Sequence, residues 1–186
     1  MICYHNFQIH LNQYAKLGKE NHFPEIDCCP MCRAQNRLKR HGFYERNAIE
    51  QGASLRIPIC RLRCPDCKKT LSIFPVSLLP YFQHTIAFIL LLLLSFWLFG
   101  QPLGSRQLRH FYTKRFQAKQ TEIALLLREA GDLEPRRADP VSESVRLLEK
   151  IRSLGEAGFV SRWWRHRFSS FMAATDYHGT RVVAMI

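Results

Sequence analysis

Four cysteines carry the clearest chemistry in the chain. Cys29 and Cys32 stand in Cys29-Pro30-Met31-Cys32, and Cys64 and Cys67 in Cys64-Pro65-Asp66-Cys67. Each is a C-P-x-C knuckle, in which one tight turn aims two sulfurs at one metal ion. Residues 33 to 63 separate the two. Together they complete a tetrahedral four-sulfur shell, which a d¹⁰ ion such as zinc accepts without strain. One C-x-x-C is common, whereas two at this spacing point to a metal ribbon. Such a shell leaves no open coordination position. The expected cofactor is therefore a single structural Zn²⁺.

The other thiols read differently. Cys60, four residues before Cys64, is expected to be a buried non-ligand, since cysteine is among the most buried residue types. Cys28 adjoins Cys29 and cannot easily share its shell, and Cys3 carries no signal. His41 reads as a strand residue or phosphate contact. Catalysis finds no support. Two-metal strand transfer needs several convergent carboxylates. Here Glu129, Asp132, Glu134, Asp139, Glu143 and Glu149 fall in a linker and on helix surfaces. No Gly-rich phosphate cradle or Ser/His/Asp arrangement is present. The chain is read as a non-enzyme.

Charge narrows the partner. The 186 residues hold 27 Lys and Arg against 15 Asp and Glu, a net charge of +12 and a pI near 9.7. Such a field favours polyanions. Residues 28 to 84 hold ten cations: Arg33, Arg37, Lys39, Arg40, Arg46, Arg56, Arg61, Arg63, Lys68 and Lys69. They hold three acids, Glu45, Glu50 and Asp66. Seven cysteines with four as thiolate ligands call for a reducing compartment. Residues 1 to 17 lack a cationic start followed by an apolar run, so the expected location is the cytoplasm.

The elements that position these groups follow from pattern. Residues 1–27 form an extension in which Phe7, Leu11, Tyr14 and Leu17 suggest a short helix ending near Gly18. Residues 28–84 form the ribbon, with strands over Leu38–Arg46, Leu55–Arg63 and Thr70–Phe74 and a turn at Glu50–Ser54. Alternation in the second strand switches near Ile59, so either a bulge or burial on both faces is expected. Pro58 lacks an amide donor and marks an edge there.

Residues 86 to 99 are the most apolar stretch. Their 14 positions fall short of the roughly 20 that span a bilayer. A buried helix is expected, beneath the ribbon or at a homodimer seam, rather than a membrane span. Within the 85–131 region, Ser105 caps one long amphipathic helix from Arg106 to about Ala130, a candidate second helix of a helix-turn-helix. Arg115 and Lys119 interrupt its apolar side. Residues 132–186 hold a linker, a helix over Val141–Leu154 ended by Gly155 and Gly158, and an aromatic–arginine segment. That last segment, with Trp163, Trp164, Phe168, Arg162, Arg165 and Arg167, reads as core packing more than base stacking.

The two knuckles, "RHGFYER" (Arg40–Arg46), "RLRCPDCKKT" (Arg61–Thr70) and "LLPY" (Leu78–Tyr81) resemble a zinc-ribbon family of bacterial mobile elements. They are also similar to the N-terminal zinc ribbons of insertion-sequence transposases. The resemblance covers about residues 28–84 and, more loosely, the basic helix containing "RHFYTKRF" (Arg109–Phe116), and it implies a transposon-linked DNA-binding role with Cys29, Cys32, Cys64 and Cys67 as ligands. Arg33 and Lys68 stand where a knuckle glycine is common, and no acidic catalytic domain follows.

The expectation is thus an α+β protein, a small four-cysteine zinc ribbon of short antiparallel strands followed by a helical domain. It would bind double-stranded DNA without catalysing its own reaction, beside a transposase or recombinase subunit. Expected phosphate contacts are Arg33, Arg37, Lys39, Arg40, Arg46, Arg61, Arg63, Lys68, Lys69, Arg106, Arg109 and Lys114. A protein-interaction module and a small membrane-associated protein are the rival readings.

Overall fold

The chain runs β1 (Ile2–His5), α1 (Leu11–Leu17), a 3₁₀ turn (Gly18–Glu20), β2 (Lys39–Glu50), β3 (Ala53–Arg63) and β4 (Thr70–Pro75). It continues with α2 (Ile86–Phe99), α3 (Arg106–Ala118), α4 (Gln120–Glu129), α5 (Pro140–His166) and β5 (Val182–Met185). This computed structural model describes residues 1–101, 103–129, 131, 135, 137–166, 170–173 and 182–185, the last four and 166 by backbone alone. Asp132, Glu134, Arg167 and Phe168, singled out above, lie outside the described residues. Two units emerge: Met1–Thr85 with His178–Ile186, and Ile86–Tyr177.

In the first unit a hairpin organises the sheet. Gln51 and Gly52 both take positive φ, 44° and 87°, as a two-residue type I′ turn requires. The strands it joins, β2 and β3, pair antiparallel from Glu50↔Ala53 down to Lys39↔Arg63. Strand β4 adds antiparallel to β3, β1 adds parallel to β4, and β5 parallel to β1, giving the order β2-β3-β4-β1-β5. Residues 1–27 thus supply a sheet strand, a role their short mixed sequence did not announce.

The switch in alternation near Ile59 has a definite cause. Ile57, Pro58, Ile59 and Cys60 are all buried, so β3 is covered on both faces there. The bulge falls instead in β2, at His41, between Arg40↔Leu62 and Gly42↔Arg61. Pairing with β4 reaches back only to Cys60, so Pro58 stands beyond that ladder. Its carbonyl accepts a hydrogen bond of 2.8 Å from the Tyr14 hydroxyl on α1. Rings of Phe7, Tyr14 and Phe23 meet edge-on at 4.8 to 6.4 Å on this side of the sheet. Gly18, at φ 56°, ends α1 where the sequence placed the stop.

The second unit is helical. In α2, Ile86, Phe88, Ile89, Leu90, Leu92, Leu93 and Leu94 are buried, while Phe96, Leu98 and Phe99 of its last turn are exposed. Among the described residues, no helix is long and apolar enough to cross a membrane.

The single helix expected from Arg106 onward is two. Lys119 leaves helical geometry between α3 and α4, its amide donating to Phe116 at 3.0 Å. Both interrupting cations have partners on the apolar side. Lys119 is buried with its ammonium 2.8 Å from Glu122, and Arg115 donates to the Met172 carbonyl while lying over Phe111. Helix α5 starts at Pro140, where the Asp139 carboxylate accepts from the Ser142 amide at 2.7 Å. Gly155 breaks it, at φ 72° and ψ 159°, a conformation open essentially to glycine. Beyond the break Phe159, Trp163 and Phe171 bury one another at 5.0 to 6.0 Å, which is the packing role expected of the segment.

Candidate metal centre

Both knuckles are built the same way. The amide of Cys29 donates to Ala34 and that of Cys64 to Lys69, each five residues on and each at 3.0 Å. The fourth residue after each first cysteine must then reverse the chain, and Arg33 and Lys68 do so with φ of 60° and 61°. For a residue with a side chain, left-handed geometry costs roughly 1–2 kcal/mol. The proline of each knuckle sits where no amide is needed for these bonds.

The knuckles face each other, one before β2 and one between β3 and β4. Sγ of Cys29 lies 3.7 Å from that of Cys67, and Sγ of Cys32 lies 3.6 Å from that of Cys64. All four sulfurs fall within 4.8 Å of one another. With Zn–S near 2.3 Å, a regular tetrahedron has an S···S edge of about 3.8 Å. The four thiols fit such an ion and are too far apart to be disulfides. Among the described residues, this is the one cluster of three or more Cys, His, Asp or Glu side chains suited to a metal. Cys28 and Cys60 stand outside it.

Electrostatics point the same way. Burial raises the Cys29 thiol, but amides of Cys32 and Met31 and the neighbouring thiols overcome this and lower it to about 7. For Cys32 the Ala34 amide favours the thiolate, yet desolvation and the three other thiols push it up to about 12. Four like charges at this spacing cannot all ionise without a cation among them. A divalent metal ion could be held by this group, and a complete sulfur shell would close it to substrate.

Around this centre the expected phosphate contacts sort into distinct groups. Arg33, Lys39, Arg63, Lys68 and Lys69 are exposed at the metal end of the first unit. Lys39 and Arg63 are directly opposed across the β2–β3 ladder. Arg37 is paired with Asp66 through two hydrogen bonds, 3.2 and 3.4 Å, which tie one knuckle to the other. Arg61 lies over the Tyr44 ring. Arg40 is on the opposite face of the sheet, over Phe23 and Phe43. Arg46 is structural: it is half-buried against Phe74 and donates to the Leu79 and Phe82 carbonyls. Arg106, Arg109 and Lys114 belong to α3 of the second unit, where Arg109 donates to the Gly104 carbonyl.

Fold and site together define a mixed α+β protein with a ribbon-like four-cysteine centre. A family described as a domain of unknown function, DUF6431, is similar to residues 29–94, about a third of the chain. That stretch spans both knuckles, β2 to β4 and the buried part of α2. No curated protein and no solved structure matches the chain. Two aromatic residues escaped the sequence reading. Tyr44 and Tyr81 border a cavity on the Arg61 face, and only strand register and loop geometry reveal it.

Proposed function

We propose that the chain is a zinc-dependent, non-catalytic DNA-binding protein, with Zn²⁺ held by Cys29, Cys32, Cys64 and Cys67. One observation carries the reading: cations crowd the metal end at a cost to the fold. Lys39 and Arg63 are like charges set directly opposite, an unfavourable cross-strand pair. Arg33 and Lys68 occupy strained backbone positions that glycine would take freely. A zinc–tetrathiolate carries about −2 and balances part of this charge. Five exposed cations exceed that, and among the described residues none of the five is in an ion pair. Strain and repulsion kept at one surface suit an anionic partner.

Double-stranded DNA is that partner. Its phosphates would be met by these cations, positioning the protein without reading sequence. The resemblance of residues 28–84 to mobile-element zinc ribbons supports a role beside a transposase or recombinase subunit.

The test is anisotropy of a labelled short duplex over a range of salt, with the Arg33→Gly/Lys68→Gly double variant beside the parent. Removing two phosphate contacts should lower the log–log salt slope by about two, alike for unrelated sequences. Equal affinity and slope in the zinc-loaded variant, or parent binding indifferent to salt, would overturn the reading.

A protein-interaction module is the second reading. It is favoured by the exposed apolar end of α2, where Phe99 keeps 67% of its surface.

A further inference from the structure

We infer that a cavity beside the cationic strand holds an unpaired nucleobase of bound DNA, stacked on Tyr81. The inference rests on the DNA-binding reading above and adds a base subsite to its phosphate surface. The cavity measures about 610 Å³ and is lined by Tyr44, Asn47, Ser72, Phe74, Tyr81 and Gln83 among others. Sites for small organic groups commonly have this size.

Tyr81 is the unusual member. It is 75% exposed, and its φ of 67° is one that an aromatic residue rarely adopts. The surrounding loop is nonetheless fastened. The Arg46 guanidinium donates to carbonyls on either side of it, Leu79 and Phe82. The Ile49 amide donates to Gln83 at 2.8 Å, and Thr85 donates back to Ile49 at 3.0 Å. A large ring displayed on a pinned loop loses little freedom on binding, which is what a stacking anchor needs.

The rest of the cavity suits a base. Tyr44 faces it with its phenol hydrogen-bonded to Ser72. Exposed Gln83 offers a donor and an acceptor to a base edge. Stacking itself tolerates every base. The cavity also continues the phosphate surface. Arg61 lies 6.0 Å over Tyr44 and pairs in register with Gly42 and Ser72. Arg63 follows on the same face by period-two geometry. A strand tracking Arg63 and Arg61 would deliver a base to Tyr81, with Glu45 the acid at its rim. The larger cavity on the other face, about 990 Å³, carries Glu20, Glu25 and Asp27 and would repel phosphates. A paired base is shielded within the duplex stack, so the occupant is an extrahelical one.

The experiment uses zinc-loaded full-length protein and two duplexes of one length, one fully paired and one with a central 2-aminopurine bulge. The parent should bind the bulged duplex about tenfold more tightly, with a change in 2-aminopurine fluorescence. Tyr81→Ala should erase that preference while leaving zinc content, paired-duplex affinity and salt slope as in the parent. Tyr81→Phe should keep it. Tyr81→Gly, which relieves the backbone, should behave as the alanine variant does. Equal parent affinity for the two duplexes, or an equal loss on both in Tyr81→Ala, overturns the base site and leaves DNA binding standing. Binding to neither duplex at low salt overturns both readings and assigns Tyr81 to a protein partner.

Discussion

Around the four thiols the chain exposes Arg33, Lys39, Arg63, Lys68 and Lys69, and the knuckles bury little apart from Cys29 and Cys64. The helical unit does the opposite. Trp163, Phe159, Phe171, Phe116 and Tyr112 are almost wholly buried, with Leu92, Leu93, Leu147 and Leu148 beside them. Its buried charges are neutralised locally, Arg146 meeting Glu143 through two hydrogen bonds of 2.9 Å. A metal held by the four thiolates would draw the knuckles inward and fix their shape. The helices hold theirs through apolar area, with the buried cations Lys119 and Arg146 paired locally. A cationic surface of this kind is no hydrophobic core, and a metal shell would let a small sheet end dispense with one.

Removing the metal is the sharpest way to break this contrast. In structural zinc sites the metal's binding free energy, of order 10–16 kcal/mol, is folding energy. A strong chelator, or Cys64→Ser, should abolish amide-exchange protection over β2 to β4 while α4 and α5 stay protected. Uniform loss of protection across both units would end the distinction.

The reciprocal change is Trp163→Ala. Large-to-small replacement of a buried aromatic costs about 3–5 kcal/mol. Helical signal should melt at lower temperature with zinc content unchanged by elemental analysis. Glu143→Leu should follow at about 3–5 kcal/mol, because buried Arg146 would lose the carboxylate that neutralises it. Replacing both partners with Met or Leu should recover most of that loss, which a thermal melt of the double variant would register. A double variant as unstable as the single one would show that the pair itself is needed.

A gain is expected at the knuckles. Arg33→Gly and Lys68→Gly each relieve left-handed strain and should stabilise the metal-loaded unit by about 1 kcal/mol, read from its denaturant midpoint. Loss of DNA affinity together with higher stability would separate the phosphate role from a folding role.

The smallest effect concerns Asp139. Hydrogen bonds from Ser142, side chain and amide, and from the Val141 amide hold its carboxyl below the ordinary 3.8. A depressed folded-state pKa stabilises above the unfolded value and is lost as pH falls through the folded one. Asp139→Ala should therefore lower the helical melting temperature slightly near neutral pH, and the difference from the parent should fade below pH 3.8. A difference that persists in acid would place the effect elsewhere.

Much of this was legible in the chain itself. Two C-P-x-C pairs determine a four-sulfur cluster, because ligand spacing is a local property and the turn that aims both sulfurs is made within each knuckle. The apolar run of residues 86 to 99 gave α2 with its limits, and Gly18, Gly52 and Gly155 mark real chain reversals or breaks, since positive φ is a local demand that glycine meets. Tertiary structure decided the rest. Ile2–His5 becomes a strand only because β4 offers it a parallel partner, a long-range pairing that four residues cannot encode. The helix after Ser105 divides at Lys119, whose buried ammonium meets Glu122, where periodicity reads only an interruption. Arg46 and Arg63 look alike in sequence, yet one is spent on two loop carbonyls and the other remains in solvent. Charge is a property of composition, but availability of a charge depends on which backbone groups the fold leaves unsatisfied beside it.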